Sequence, residues 1–202
     1  MCRVRYESRE MSSERSSTYS RGIRPTFDHP LRTCGNRSIV KLNLNPEEIM
    51  SLKRLTEFLE HEHVKYSTLT HSPAFTAQEI AACAHVSGKE LAKTVVVRVD
   101  GRLALAVAPA DRKIALAELG KAVGDANARF ASENEFKDSF PDCELGAMPP
   151  FGNLYGMEVY LAQPLTEDEE IAFNAGSHTE LIKMPLHDFE RLVKPKVANF
   201  TT

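Results

Sequence analysis

Apolar residues recur every three or four positions in several segments of the chain, and this spacing predicts amphipathic helices. The first helix is predicted to begin at Pro46 with Asn45 as its N-cap, because proline fits the first turn of a helix. A second is predicted to begin after Thr76, where Glu79 three residues later completes a capping box. Three shorter helices are predicted within residues 113–124, 132–140 and 185–193.

Other segments are rich in β-branched residues or alternate between apolar and polar side chains, as strands do. In "LAKTVVVRVDGRLALAVAPA", residues 91–110, Asp100 and Gly101 separate two such runs and predict an antiparallel hairpin. Four more strands are predicted within residues 64–71, 157–162, 170–175 and 179–184. Because helices and strands are intermixed, the predicted fold class is mixed α/β, with a largely antiparallel mixed sheet and helices packed around it.

The N-terminal segment has a different composition. Residues 1–40 contain eight arginines and four acids, a net charge of +4, whereas the whole chain carries −3, which leaves −7 for residues 41–202. The stretch "SSERSSTYSRG" has no hydrophobic period. We therefore predict a disordered Ser/Arg-rich tail over residues 1–44 and one folded domain over residues 45–202.

The function of this tail is open. Three interpretations are open: a basic arm that binds nucleic acid, a solvated extension without a partner, or a segment that results from a misassigned translation start. Glu7, Glu10 and Glu14 argue against a mitochondrial presequence, because such presequences are poor in acidic residues.

Several functional classes are excluded by what the sequence lacks. No stretch approaches the roughly 20 consecutive apolar residues of a membrane span, so we expect no membrane partner. The four cysteines are far apart and form no C-x-x-C pair, which predicts neither a zinc site nor a disulfide framework and favours a reducing, cytoplasmic location. The "HEH" at 61–63 is expected to be a solvated helix end rather than a metal site. Dinucleotide, P-loop and α/β-hydrolase motifs are absent, and we predict no cofactor.

Lys93 is a candidate for chemistry because it stands in an apolar run that predicts a central strand. A lysine there is costly unless its ammonium reaches an opening. Either the side chain extends to solvent from the strand end, or it directs its ammonium at an anion in a pocket. Cys143 is a second candidate: it is either a nucleophile with His178 as its base or a buried thiol.

Five motifs in a fixed order resemble the YbaK/ProX family of aminoacyl-tRNA deacylases: "TAQEIA", "ELAKTVVV", "LAVAPADRKI", "CELGAMPPFG" and "FNAGSHTELIKM". A related domain is the editing insertion of bacterial prolyl-tRNA synthetases. The resemblance extends from about Leu52 to Leu192, and its most specific parts are Lys93 in "AKT" and the G-x-x-x-P loop, Gly146 to Pro150. It implies the fold of these editing domains.

The resemblance also implies a function. The protein would be a trans-editing hydrolase that deacylates mischarged tRNA, by attack of water assisted by the substrate's ribose hydroxyl. A small amino acid such as Cys, Ala or Ser is expected, with tRNA-Pro as a candidate tRNA and prolyl-tRNA synthetase as a candidate partner. One methylene changes binding by only about 1–3 kcal/mol, so synthetases need such a second sieve.

The implied catalytic residues are Lys93, which would position the ester at the tRNA 3′ end, and Gly146, whose backbone would approach the substrate. Five residues are implied to bind substrate: His71, Phe75, Pro149, Pro150 and His178. Pro149 and Pro150 would stiffen the loop, although a plain turn is the alternative. Relatives differ at the position of His178, so its part in catalysis stays open.

Two other functional classes are compatible with the sequence. The first is a non-catalytic module with the same fold that binds tRNA or a synthetase. The second is a hydrolase that acts on another small ester or amide. Basic residues are concentrated in residues 89–137, where they form either one phosphate-binding face or an ordinary solvated spread.

Overall fold

The computed structural model describes residues 5–8, 46–72, 74 and 76–202, and a single sheet organises them. Its strands are β1 (Arg5–Ser8), β2 (Ser67–Thr70), β3 (Leu91–Val99), β4 (Arg102–Pro109), β5 (Arg129–Phe130), β6 (Glu158–Ala162), β7 (Glu170–Asn174), β8 (Glu180–Pro185) and β9 (Lys196–Ala198). The helices are α1 (Pro46–His61), α2 (Ala77–Ala84), α3 (Leu116–Val123), α4 (Glu133–Phe136) and α5 (Leu186–Val193). Short 3₁₀ segments cover Lys137–Ser139, Gly152–Tyr155 and Gln163–Glu167.

The strands follow the order β1-β2-β8-β7-β3-β4-β6-β9, and β5 also pairs with β3. The pairs β1–β2, β2–β8, β3–β4, β3–β5 and β7–β8 are antiparallel, whereas β3–β7, β4–β6 and β6–β9 are parallel. The predicted fold class, a mixed and largely antiparallel sheet with helices packed on it, is confirmed.

The hairpin of β3 and β4 forms as predicted. Its strands pair from Ala92 opposite Pro109 to Val99 opposite Arg102. Asp100 and Gly101 form the turn with φ angles of 48° and 73°, and a two-residue turn that matches the strand twist requires positive φ at both positions. The hairpin is therefore encoded by a local signal.

The other edge of β3 is divided between two partners. β7 pairs in parallel with Leu91 and Ala92, whereas β5 pairs with Val97 and Arg98 at the far end of the strand. The centre of β3 lies between these two pairings, and a cavity opens beside it. This division of the β3 edge determines where the candidate site lies.

Side chains alternate between the two faces of the sheet. On one face, α1 and α5 cover the main core, where the Phe151 ring lies 5.5 Å from those of both Phe173 and Phe189. On the other face, α3 packs over the hairpin through Leu119, and α2 packs over the first residues of β3 through Ile80. The hydrophobic core thus holds β3 from both sides.

The capping box predicted at the start of α2 is present in the structure. The Thr76 hydroxyl accepts from the Glu79 N–H at 3.2 Å, and the Glu79 carboxylate accepts from the Thr76 N–H at 3.1 Å. α2 then ends at His85 in the left-handed conformation, with φ 54°, three residues before Gly88. The predicted N-cap Asn45 lies outside the described residues.

The structure departs from the sequence prediction at three strands. β5 and β9 were not predicted, because two or three residues are too few to show a period. Residues 5–8 lie within the predicted disordered tail but pair with β2. Without them β2 would be an edge strand, and the backbone groups of an edge strand are free to pair with another extended segment. The rest of the predicted tail lies outside the described residues, so its disorder and the domain boundary stay predictions. Among the residues described, no helix has both the length and the apolar character needed to cross a bilayer.

Candidate active site

A cavity of about 400 Å³ lies along the central part of β3. Its walls come from segments distant in sequence: Ile80 of α2, Lys93 of β3, Phe136 of α4, Gly146 and Met148 of the loop, and Asn174 at the end of β7. A volume of this size is sufficient for a small ligand, and the walls are mainly apolar with few polar groups. The two predicted catalytic residues, Lys93 and Gly146, therefore line one cavity although 53 positions separate them.

Lys93 enters this cavity from a half-buried position on β3. Strand alternation puts its side chain on the same face as Leu91, which packs under α2. The ammonium donates a hydrogen bond to the carbonyl oxygen of Arg112. Burial lowers the pKa of Lys93 below its usual 10.5, and the Asp111 carboxylate partly offsets that effect. The ammonium is thus partly desolvated and bonded to a neutral acceptor.

The loop that carries Gly146 is held against the β7–β8 connection. The Glu144 N–H donates to the Gly176 carbonyl at 2.8 Å, and the Gly176 N–H donates to the Ala147 carbonyl at 3.0 Å. Gly146 has a φ of +91°, and a Cβ there would lie 3.5 Å from Cε1 of His178. Its N–H donates to the thioether of Met148 at 3.2 Å, a weak acceptor. The loop geometry therefore requires glycine and leaves this N–H weakly bound.

Pro149 and Pro150 are buried and do not line the cavity. Their rings restrict the backbone immediately after Met148, where the chain turns into the core. Their position fits the stiffening of the loop, and their role in binding substrate stays a prediction.

His178 contacts the Gly146 loop without lining the cavity. Its backbone N–H donates to the Glu144 carboxylate at 2.6 Å, and its Nε2 donates to the Leu145 carbonyl at 3.0 Å. The residue does not line the cavity. In this geometry His178 fixes the Gly146 loop, and its role in binding substrate stays a prediction.

His71 is buried, with 4% of its surface exposed, and is not part of the cavity wall. Its Nδ1 donates to the Ser72 carbonyl at 2.7 Å. Burial lowers the pKa of His71, although the bond to Ser72 opposes this effect and His178 adds to it. His71 was implied to bind substrate, and the structure places it in the interior, outside the cavity wall, so that role stays a prediction. Phe75, which was implied to bind substrate too, lies outside the described residues.

Asn174 was not singled out from the sequence, yet it lines the cavity. Its Oδ1 is buried and has no hydrogen-bond partner among the described residues. A buried acceptor without a partner destabilises a fold by about 1–3 kcal/mol, so native proteins rarely retain one. The sequence does contain one signal that could have identified Asn174: its side-chain amide directly follows the apolar run "EIAF", at the end of a predicted strand.

Cys143 lies outside the cavity wall, and its role as a nucleophile stays a prediction. Its sulfur lies 3.3 Å from the Tyr155 hydroxyl and the residue does not line the cavity, whereas the His178 ring bonds to Leu145. Burial and the neighbouring Cys143 raise the pKa of Tyr155. Within the described part of the chain, no three His, Cys, Asp or Glu side chains are grouped so that they could hold a metal.

The basic residues of 89–137 do not all remain available for phosphate. Arg98 and Arg129 approach the Glu135 carboxylate at 3.5 and 2.7 Å, and Lys121 bonds to Glu118 at 2.8 Å. Neighbouring acids therefore neutralise part of the predicted face.

Known proteins resemble this chain in sequence and in fold. Residues 71–192, more than half of the chain, match the family described as aminoacyl-tRNA editing domain. A curated relative from Escherichia coli K12, the multifunctional Ser/Thr-tRNA deacylase ProXp-y, is 29% identical over 154 residues, which cover 73% of this chain and 91% of the relative. The enzyme class predicted from the sequence, an aminoacyl-tRNA deacylase, is the class of that relative.

Solved structures share the fold at lower identity. The crystal structure of a candidate trans-editing enzyme for prolyl-tRNA synthetase has a TM-score of 0.67 and 21% identity, and the match covers 79% of this chain and 99% of that one. The hypothetical protein APE2540 gives a TM-score of 0.66 at 20% identity, over 74% of this chain and 99% of its own. Together with the family match over residues 71–192, these findings confirm the resemblance found in the sequence motifs: the chain belongs to the aminoacyl-tRNA editing domain family.

Proposed function

We propose that this protein hydrolyses the ester that joins a wrongly attached amino acid to the 3′-terminal ribose of a tRNA, with the cavity beside β3 as its active site. The observation that carries the proposal is the convergence of Lys93 and Gly146 on one cavity in a chain of the editing family. The reaction takes place in the cytoplasm, where tRNA is charged and used, and it needs only water as co-substrate.

Lys93 and the loop have different tasks in this mechanism. The ammonium of Lys93 leaves the Arg112 carbonyl and bonds to the 3′ end of the tRNA, which holds the ester in the cavity. The Gly146 N–H exchanges the thioether of Met148 for the ester carbonyl oxygen, a much better acceptor when negative charge develops on it. Both groups stabilise charge in a partly desolvated site, where such interactions are strong.

The bond changes are those of ester hydrolysis. The oxygen of a water molecule adds to the ester carbonyl carbon, assisted by the free vicinal hydroxyl of the ribose. The bond from that carbon to the ribose oxygen then breaks, and the ribose oxygen takes up a proton. The products are a free amino acid and an uncharged tRNA. No protein side chain forms a covalent bond in this scheme.

A small amino acid is the proposed substrate, with Ser, Ala and Cys as the candidates. Support comes from the modest cavity volume and from the name of the curated relative, a Ser/Thr-tRNA deacylase. The structural neighbour described as a candidate trans-editing enzyme for prolyl-tRNA synthetase supports tRNA-Pro as the carrier and that synthetase as a partner. The proposed substrate-binding residues remain the five implied by the sequence, with His178 acting through the loop it holds: His71, Phe75, Pro149, Pro150 and His178.

The test is a panel of tRNAs charged with Ser, Thr, Ala, Cys or Pro, incubated with the purified full chain. We expect release of at least one small amino acid well above the enzyme-free rate, with correctly paired Pro-tRNA-Pro spared. Binding without release would instead indicate a non-catalytic tRNA-binding module. Hydrolysis of simple esters but of no tRNA would indicate the small-ester alternative.

Three further assays, two on the same substrate and one on a modified tRNA, separate the mechanisms. We expect full activity with a chelator, near-normal activity of Cys143→Ser, and loss of activity on tRNA whose terminal adenosine lacks the free vicinal hydroxyl. Inactivation of a folded Cys143→Ser protein would support attack by the thiolate and overturn the water mechanism.

A further inference from the structure

A buried amide oxygen in the cavity wall gives information about the amino acid that the site accepts. Oδ1 of Asn174 is buried without a hydrogen-bond partner among the described residues, and Asn174 lines the same cavity as Lys93 and Gly146. Such an acceptor gains a hydrogen bond from a ligand that brings a donor to it, because the described residues give it none.

The strand register indicates which part of the cavity Asn174 faces. β3 and β7 pair in parallel, with Leu91 opposite Ala172, and both side chains pack beneath α2 with Ile80. Two residues further along each strand the side chains return to the same face of the sheet. Lys93 and Asn174 therefore share the α2 side, where Ile80 and Leu91 supply apolar walls.

The neighbouring lysine limits the kind of donor that fits. Every aminoacyl ester offers an α-ammonium, but a cation placed at Asn174, beside the Lys93 ammonium, would be repelled, whereas the Glu133 carboxylate in the same cavity wall attracts it. A neutral hydroxyl has no such cost and donates one hydrogen bond. A hydroxymethyl side chain is also small enough for a cavity of about 400 Å³.

Building on the proposed function, we propose that Asn174 is the residue that selects hydroxyl-bearing amino acids, accepting a hydrogen bond from the side chain of the esterified serine. Alanine lacks this donor, and cysteine offers a weaker one from a group of similar shape. A site built to bond a substrate hydroxyl rejects the analogue without it, because the acceptor is then left buried and unpaired. The expected order of kcat/KM is Ser, then Cys, then Ala.

The wild-type protein provides the first test, and it depends on no variant. On one tRNA charged with Ser, Cys or Ala, kcat/KM for Ser is expected to exceed that for Ala by about tenfold or more. Equal rates, or a preference for Ala, would overturn the assignment to Asn174 while leaving deacylation intact. Hydrolysis of none of the three would overturn the proposed function itself, which is a distinct result.

The second test removes the acceptor with Asn174→Leu, which has nearly the same size and shape. We expect kcat/KM on Ser-tRNA to fall about tenfold or more, and that on Ala-tRNA to change less than threefold, so that the preference disappears. Asn153→Leu is the matched control, because Asn153 is exposed and lies outside the cavity. An equal fall on both substrates, or an unchanged Ser-to-Ala ratio in a folded Asn174→Leu protein, would contradict the proposal.

Discussion

Two cavities in this protein differ in what their polar groups contact. The cavity beside β3 holds about 400 Å³, whereas a second, larger one of about 630 Å³ lies at the turn end of the hairpin, beside β6 and β9. In the second cavity the Lys196 ammonium bonds to both Glu158 oxygens at 2.9 Å, and the Tyr160 hydroxyl donates to Glu158 at 3.0 Å. Lys196 and Glu158 therefore neutralise one another.

In the first cavity, two polar groups bind weak or neutral partners and a third has no partner among the described residues. Lys93 donates to a backbone carbonyl, the Gly146 N–H meets a thioether, and Oδ1 of Asn174 has no partner among the described residues. Because buried polar groups are normally satisfied, such an arrangement indicates a site prepared for a ligand. Volume alone would have selected the other cavity, so the state of the polar groups is the better guide to function.

The largest effect is expected from Lys93→Ala. Removing the ammonium should lower the deacylation rate at least about a hundredfold, the size typical for loss of one charge-stabilising donor. The fold should change in free energy of unfolding by less than about 1 kcal/mol, because no core volume is lost. Single-turnover deacylation and thermal melting measure the two quantities.

Lys196→Ala is the matched control for that variant, since it removes a lysine from the second cavity. We expect its deacylation rate to stay within twofold of wild type. A folded, active Lys93→Ala protein, or a Lys196→Ala protein as impaired as Lys93→Ala, would remove the distinction between the cavities.

A smaller but still large effect is expected from Gly146→Ala. A φ of +91° is strained for alanine, so the loop is expected to shift and kcat/KM to fall about tenfold or more, although the added methyl itself would only be in ordinary contact with the His178 ring at 3.5 Å. Gly156→Ala, in the wall of the second cavity, is the control: its φ is +66° and its Cβ would have no neighbour within 4 Å. Both variants should lose about 1 kcal/mol of stability. Equal losses of activity would show that strain alone, and not the position of the loop, is responsible.

The smallest effect concerns titration. Burial lowers the pKa of Lys93, so NMR of its side chain should give a midpoint below 10.5. Burial and the bond to Glu158 raise the pKa of Tyr160 in the second cavity to about 12, so it should remain protonated at pH 10.5. Absorbance of tyrosinate, compared with Tyr160→Phe, reports this second value.

The two shifts affect stability in opposite directions. The lowered pKa of Lys93 means that the unfolded chain binds the proton more tightly, so the folded state gains stability as pH rises from the folded pKa to 10.5. The raised pKa of Tyr160 stabilises the fold fully below pH 10, and this contribution is lost as pH rises through about 12. A Lys93 midpoint at or above 10.5 would contradict the desolvated site.

Local signals made much of the fold predictable. The Asp100-Gly101 turn and the Thr76–Glu79 capping box each involve residues at most three positions apart. Their interacting groups can therefore be recognised in a short stretch of sequence. Lys93 was identifiable because a lysine in an apolar strand is costly, and the loop of Gly146 because its motif is specific.

Long-range pairing was not predictable from the same signals. The division of the β3 edge between β7 and β5 depends on strands that lie far apart in sequence, and β5 has only two residues. Asn174 acquires its importance from that division, because it lies where β7 ends beside the opening. The depth of His71 likewise follows from packing of the chain around it, which one sequence does not reveal.

The most direct test of the central claim is a crystal structure of the protein with 3′-deoxy-3′-(L-serylamino)adenosine, in which an amide replaces the scissile ester. We predict that the seryl group occupies the cavity beside β3, with its carbonyl oxygen on the Gly146 N–H and the Lys93 ammonium moved from the Arg112 carbonyl to the analogue. An analogue bound in the cavity of Glu158 and Lys196, or bound elsewhere with Lys93 still on Arg112, would contradict the account.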